Sequence, residues 1–244
     1  MQVILSPAKN MVVNNDDILP ERMPCFIRQA EILKNRLRKC TRDELKKIWK
    51  CSDKLTDLNL ERLQHMDLEN GLSPALFSYI GLAFQHIGAA ALTEEELRFL
   101  DEHLYILSGF YGALRPLDGI VPYRLEMQAV MPDGEDLYTF WGDRICRKVT
   151  EKDHVIVNLA SKEYSRSVEP YLTPEDTMIT IVFAEEKGNK LIQKGTMAKM
   201  ARGEMVSYIA ENRINDPEKL KAFHLHYHFD AERSSDTEYV FVHD

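Results

Sequence analysis

Residues 155–159 read Val-Ile-Val-Asn-Leu, four apolar side chains in five positions with no alternation. A strand with one face in water alternates apolar and polar residues. An unbroken apolar run belongs to a strand covered on both faces. A second short strand is predicted at Gln2–Leu5, a third at 104–107 (LYIL) and a fourth at 178–183. Helical patterns fill the gaps between them. Strands at the start, middle and end of a chain, separated by helices, predict a mixed sheet packed against helices. The fold class expected is therefore α/β (mixed α+β), as a single domain over residues 1–244. The Gly/Asn-rich segment 67–74 is the best boundary candidate, and it does not read as a linker.

The helical signals are local. Residues 20–39 carry Ile27, Ile32, Leu33 and Leu37 at near-helical spacing. Thr41-x-x-Glu44 and Thr93-x-x-Glu96 are capping boxes, and Ser52 reads as a further N-cap. Asp136 or Thr139 begins a helix running through Ile145 and Val149, and residues 196–214 form a long one. Asp216-Pro217 starts a short helix with proline at its first position. Two hairpins are expected. One joins 178–183 to 190–193 through the turn Lys187-Gly188-Asn189. The other joins an alternating segment at 223–229 to 238–242.

With 44% hydrophobic and 29% charged residues, the chain falls outside the disordered and collagen-like classes. The start lacks the pattern of a signal peptide, and no apolar run reaches the roughly 20 residues of a membrane span. A cytoplasmic protein without membrane attachment is expected. Cys25, Cys40, Cys51 and Cys146 include no C-x-x-C pair and no zinc spacing, so they are expected as free thiols. Net charge is −8, yet residues 28–54 hold ten Lys/Arg against four Asp/Glu. That block reads either as a solvated helical face or as a surface for nucleic acid.

Chemistry-bearing residues concentrate in LSGFYGALRPLDGIVPYRLEM, residues 107–127. Gly109 and Gly112 suit a turn that offers backbone N–H groups to phosphate. Arg115 and Arg124 suit an anionic partner, while Asp118 and Glu126 either orient the arginines or act as acid and base. Ser6 and Lys9 follow the first strand, where ligands of α/β sheets commonly sit. Asn158, Ser161 and Tyr164 make a polar rim at the end of the 155–159 strand. Asp143, after Trp141-Gly142, is placed to position an arginine. Lys199 and Arg202 share a helical face that Arg213 extends, with Gly203 between. His224, His226 and His228 alternate, but the outer two would lie roughly 13 Å apart on a strand, too far for one ion. No metal and no cofactor are expected.

LSPAKN at 5–10, the 107–127 stretch, DLYTFWGD at 136–143, VIVNLASKEY at 155–164 and AKMARGEMVSYIAENRI at 198–214 together resemble the YaaA family of peroxide-stress proteins. Asn10 stands where that family often has threonine. The resemblance implies a bacterial cytoplasmic protein that protects against hydrogen peroxide and is linked to lowered intracellular free iron. It also implies a basic cleft, a helix-hairpin-helix-like element and binding to double-stranded or distorted DNA. A monomer is expected. The residues themselves leave a second function open: an enzyme acting on a nucleic-acid base or nucleotide. Asp118, Glu126 or Asp143 would serve as acid/base, and Asn158, Ser161 and Tyr164 as orienting groups.

Overall fold

The 155–159 run is a strand, and it lies inside a parallel sheet. The computed structural model describes residues 1–13, 18–188 and 190–244. The strands of the main sheet are β1 (Gln2–Leu5), β2 (Leu104–Ser108), β3 (Gly112–Leu114), β4 (Val155–Leu159), β5 (Thr177–Lys187), β6 (Lys190–Ile192), β7 (Tyr227–Phe229) and β8 (Glu238–His243). Their order is β7-β8-β5-β4-β1-β2-β3, with β6 paired to β5. The five central strands run parallel. Antiparallel β3 and β7 close the two ends. Every residue of β1 is buried, as are four of the five in β4. Because successive side chains point to opposite faces, both faces of the sheet centre are covered. The result is a single α/β domain.

The longer helices are α1 (Ile27–Arg38), α2 (Arg42–Trp49), α3 (Asp53–Gln64), α4 (Leu82–Ile87), α5 (Glu94–His103), α6 (Arg144–Thr150) and α7 (Gly195–Glu211). Both capping boxes form. Thr41 and Glu44 exchange hydrogen bonds at the start of α2, and Thr93 and Glu96 do so at α5. Each N-cap contributes about 1 kcal/mol. Ser52 is the N-cap of α3, without a side-chain hydrogen bond. Asp136 caps a short helix, Leu137–Trp141, and Gly142 at φ 52° separates it from α6. The Lys190 hairpin forms, while the turn position Asn189 lies outside the described residues.

Two boundaries differ from expectation. The helix expected over 20–39 starts at Ile27, because the segment before it pairs along the 115–120 loop. Arg22 bridges Asp118, and Glu21 N–H donates to the Leu117 carbonyl. The strand expected at 223–229 is confined to Tyr227–Phe229. His226 at φ 59° turns the chain just before it, so the three histidines do not share a strand face. The basic block of 28–54 stays largely at the surface, and five of its ten cations have partners among the described residues. Arg36 pairs with Asp133 and Glu135, Arg42 with Asp53 and Asp57, Lys34 with Glu31 and Lys46 with Asp53, while Arg38 donates to the carbonyls of Leu63, Gln64 and Met66.

Among the helix–helix contacts, α4 against α7 is the most extensive. Gly203 permits it. A Cβ at that position would overlap the Ala83 carbonyl oxygen and lie 2.9 Å from both the Ala83 carbonyl carbon and the His86 Cβ. A hydrogen bond of 2.8 Å from His86 to Glu204 pins the same junction. In an exposed helix, glycine to alanine gains about 1 kcal/mol. Here the sign reverses: Gly203→Ala is expected to destabilise the protein by about 1–3 kcal/mol through overpacking. Thermal unfolding checks this, and an unchanged or raised Tm would refute the close approach.

Candidate functional site

The chain leaves β1 toward β2 on one side, and β4 lies on the other. The carboxyl ends of β1 and β4 are level, with Leu5 opposite Leu159. The loops that follow them diverge, which opens a crevice at the topological switch point of the sheet. Ser6 and Ser161 hold its base together. The Ser161 backbone N–H donates to the Ser6 hydroxyl at 2.8 Å, and that hydroxyl donates to the Ser161 hydroxyl at 3.2 Å.

Above the serines is a cavity of about 350 Å³. Its apolar wall includes Leu5, Leu82, Phe84, Leu125 and Leu159, with the phenols of Tyr123 and Tyr164. Four cations border it: Lys9 from the β1 loop, Arg124 from the 107–127 stretch, and Lys199 and Arg202 from α7. Two carboxylates accompany them. Glu126 lies between Lys9 at 2.8 Å and Arg124 at 3.4 Å. Among the described residues the Glu163 carboxylate receives only the Gln128 backbone N–H, at 3.4 Å.

The two arginines are unusual in the same way. The Nε atoms of Arg124 and Arg202 are both buried and have no hydrogen-bond partner among the described residues. Arg202 makes no hydrogen bond or ion pair at all among the described residues, and burial lowers its pKa. A buried polar donor left unpaired carries a desolvation penalty. Its recurrence at two guanidiniums on one cavity points to an acceptor that arrives with a ligand.

The glycines of the 107–127 stretch serve this site indirectly. Gly109 and Gly112 flank a buried turn between β2 and β3. The backbone N–H groups of Phe110 and Tyr111 donate to Ser108 Oγ at 3.1 and 2.9 Å, so they point inward. A Cβ at Gly109 would come within 2.6 Å of the Leu125 carbonyl oxygen. Glycine there lets the stretch fold back on itself and brings Arg124 and Glu126 to the cavity. Both lone pairs of Ser108 Oγ are taken, so its own hydrogen goes to the Tyr123 hydroxyl at 2.6 Å, which also meets Tyr79 at 2.8 Å. Burial pushes the Tyr123 phenol up to about 12, against the opposing pull of those two hydroxyls.

The remaining predicted residues lie elsewhere. Arg115 is buried toward the amino ends of β1 and β2. Its guanidinium donates to Gln2 Oε1 at 3.0 Å, the Glu102 carbonyl at 2.8 Å and the Tyr105 hydroxyl at 2.7 Å, and it sits 3.6 Å above the Tyr105 ring. Asp118 accepts the Arg115 backbone N–H at 2.9 Å beside the same region. Asp143 does not orient an arginine of the 107–127 stretch. It begins α6 and pairs one turn on with Arg147 at 2.6 Å. Asn158 Oδ1 holds the turn after β4 through the Ala160 N–H, and its amide reaches Thr180. Arg213, at φ 47°, pairs with Glu95 at the surface. Trp141 is fully buried and donates to the Gly109 carbonyl at 3.0 Å. Among the described residues no three His, Cys, Asp or Glu side chains converge as a metal site would require.

Sequence reasoning thus placed Ser6, Lys9, Arg124, Glu126, Ser161, Tyr164, Lys199 and Arg202 on what proves to be one cavity. It missed Glu163, Tyr123 and the wall from the start of α4. Glu163 sat unremarked inside a polar segment already singled out. For the α4 residues no sequence signal stood out.

A family model described as "Peroxide stress protein YaaA" matches residues 1–233. A UPF0246 protein of Agathobacter rectalis is 49% identical over 245 residues, covering 99% of this chain and 98% of that protein. UPF0246 proteins of Lachnoclostridium phytofermentans and Ligilactobacillus salivarius are 46% and 45% identical. Each spans 99% of this chain, and the matches cover 96% and 99% of those proteins.

The surroundings of Asp118 give a measurable pH effect. Burial pushes its carboxyl up to about 7. The neighbouring Asp101 charge adds to the rise, while the Arg115 N–H and the Arg22 charge oppose it. Its unfolded value is about 4. Between about pH 4 and 7 the native state therefore holds a proton that the unfolded chain has released, and stability falls as pH rises through that window. Asp118→Asn keeps an acceptor for the Arg115 N–H but does not titrate. It is expected to flatten the decline in Tm across that range, and a variant profile parallel to that of the parent would contradict this.

Proposed function

The chain belongs to the YaaA family of peroxide-stress proteins, and on that premise we propose that it binds DNA through the switch-point cavity. The observation that carries the reading is the pair of buried guanidinium Nε donors, on Arg124 and Arg202, that have no acceptor among the described residues. Lys199 is exposed one helical turn before Arg202, and Lys9 is exposed at the opposite loop, so the positive charge extends from the cavity to its rim. A cationic rim around a recess focuses an anionic backbone onto the site despite the net charge of −8. The turn at Gly109 and Gly112 contributes to this reading by placing Arg124, since its own N–H groups are used internally.

An enzyme acting on a base or nucleotide is the second reading, and the same cavity supports it. Of the acid/base candidates only Glu126 lines the cavity, with Glu163 beside it. The lowering of free iron that the resemblance implies enters as a cellular consequence. A lining with four cations repels a bare metal ion, so the cavity is not where we place iron.

DNA binding of this kind is expected to weaken steeply between 50 and 200 mM salt as condensed counterions are released. Lys199→Ala is expected to reduce the slope of log K against log salt by about 1. A fluorescence-anisotropy titration of a duplex oligonucleotide checks both, and no binding at 50 mM salt would overturn the proposal.

A further inference from the structure

A duplex cannot enter a recess of about 350 Å³, yet the two guanidinium Nε donors without a partner among the described residues are inside it rather than on the rim. That volume falls in the range that encloses a small ligand. Resting on the DNA-binding reading, we infer that the cavity receives one guanine nucleotide, extruded from the strand, with Arg124 and Arg202 donating to the base.

Three features select this ligand. First, the two guanidiniums differ from the lysines in depth. The Arg124 side chain is only 9% exposed and the Lys9 side chain 64%. Rim lysines suit flanking phosphates, which are solvated point charges. Inner guanidiniums suit a planar acceptor edge, and the O6/N7 edge of guanine is the commonest such partner of arginine. Second, Glu163 has only a long backbone contact, at 3.4 Å, and remains available as an acceptor. Guanine carries donors at N1 and N2 next to its acceptor edge. Thymine has no exocyclic amino group, adenine places an amino donor beside its N7 acceptor, and cytosine sets a single amino donor beside its O2 and N3 acceptors where guanine has the adjacent N1 and N2 donors. Third, Phe84, Leu125 and Tyr164 provide an apolar wall for the face of a base. Enzymes and binders that read a base outside the helix use this combination of stacking and edge hydrogen bonds.

Two arms of one experiment test the inference. Calorimetry measures binding of dGMP, dAMP, dCMP, dTMP and inorganic phosphate to the full chain. Anisotropy compares a fully paired duplex with duplexes carrying one unpaired guanine or one unpaired thymine. Expected are a preference for dGMP over the other nucleotides and phosphate of about tenfold, and a similar preference for the unpaired guanine over the unpaired thymine. Arg202→Ala is expected to erase both preferences while residual, salt-sensitive duplex binding persists. Should phosphate or all four nucleotides bind alike while the paired duplex still binds, the guanine site falls and the DNA reading stands. Should dGMP bind selectively while no duplex binds, the DNA reading falls and the guanine site stands. Absence of binding in both arms overturns both.

Discussion

Parallel pairing of β1 with β2 on one side and β4 on the other governs this molecule. A parallel strand pair cannot be closed by a tight turn, so each connection must travel over the sheet. Here the connections flanking β1 depart in opposite directions. The gap they leave at the carboxyl ends of β1 and β4 is filled by neither loop. The hydrogen bonds between Ser6 and Ser161 hold that gap at fixed width. Everything assigned to function depends on it: the β1 loop carries Lys9, the β4 loop carries Glu163 and Tyr164, and α7 carries Lys199 and Arg202 across the top.

Arg115 and Arg202 show how packing separates a structural cation from one held for a ligand. Arg115 spends its guanidinium on Gln2, Glu102 and Tyr105 and lies against an aromatic ring. Arg202 has no such partners. Its helix is locked against α4 by the Gly203 close approach, which limits how far the helix can shift to release the buried group to solvent. A fold that keeps an unpaired donor in place sacrifices stability for a site prepared before the ligand arrives. Arg124 is held similarly, by the backbone of a loop that closes on itself at Gly109.

Local patterns in the chain were legible where local physics decides. The apolar run of 155–159, both capping boxes and the polar residues following β1 and β4 are all where periodicity and strand-end reasoning put them. What stayed hidden depends on partners far away in sequence. Arg115 and Arg124 occupy one stretch and look equivalent as letters. Only the positions of Gln2 and Tyr105 tell that the first is consumed. The basic block of 28–54 is a charged surface, but that Arg36 within it is held by Asp133 and Glu135 could not be read from the local sequence. The alternating histidines suggested a strand face, and a single positive φ at His226 breaks it. The start of α4 joined the cavity wall through tertiary packing alone.

The side-chain Nε–Hε resonance of Arg202, assigned by its absence in Arg202→Lys, tests the central claim most directly. Arg115, whose terminal guanidinium nitrogens already have protein partners, provides an internal reference in the same spectrum. On addition of saturating duplex DNA, the Arg202 signal is expected to move downfield and resist exchange with water while that of Arg115 stays in place. DNA binding that leaves the Arg202 resonance unmoved would contradict the assignment of this guanidinium to the ligand.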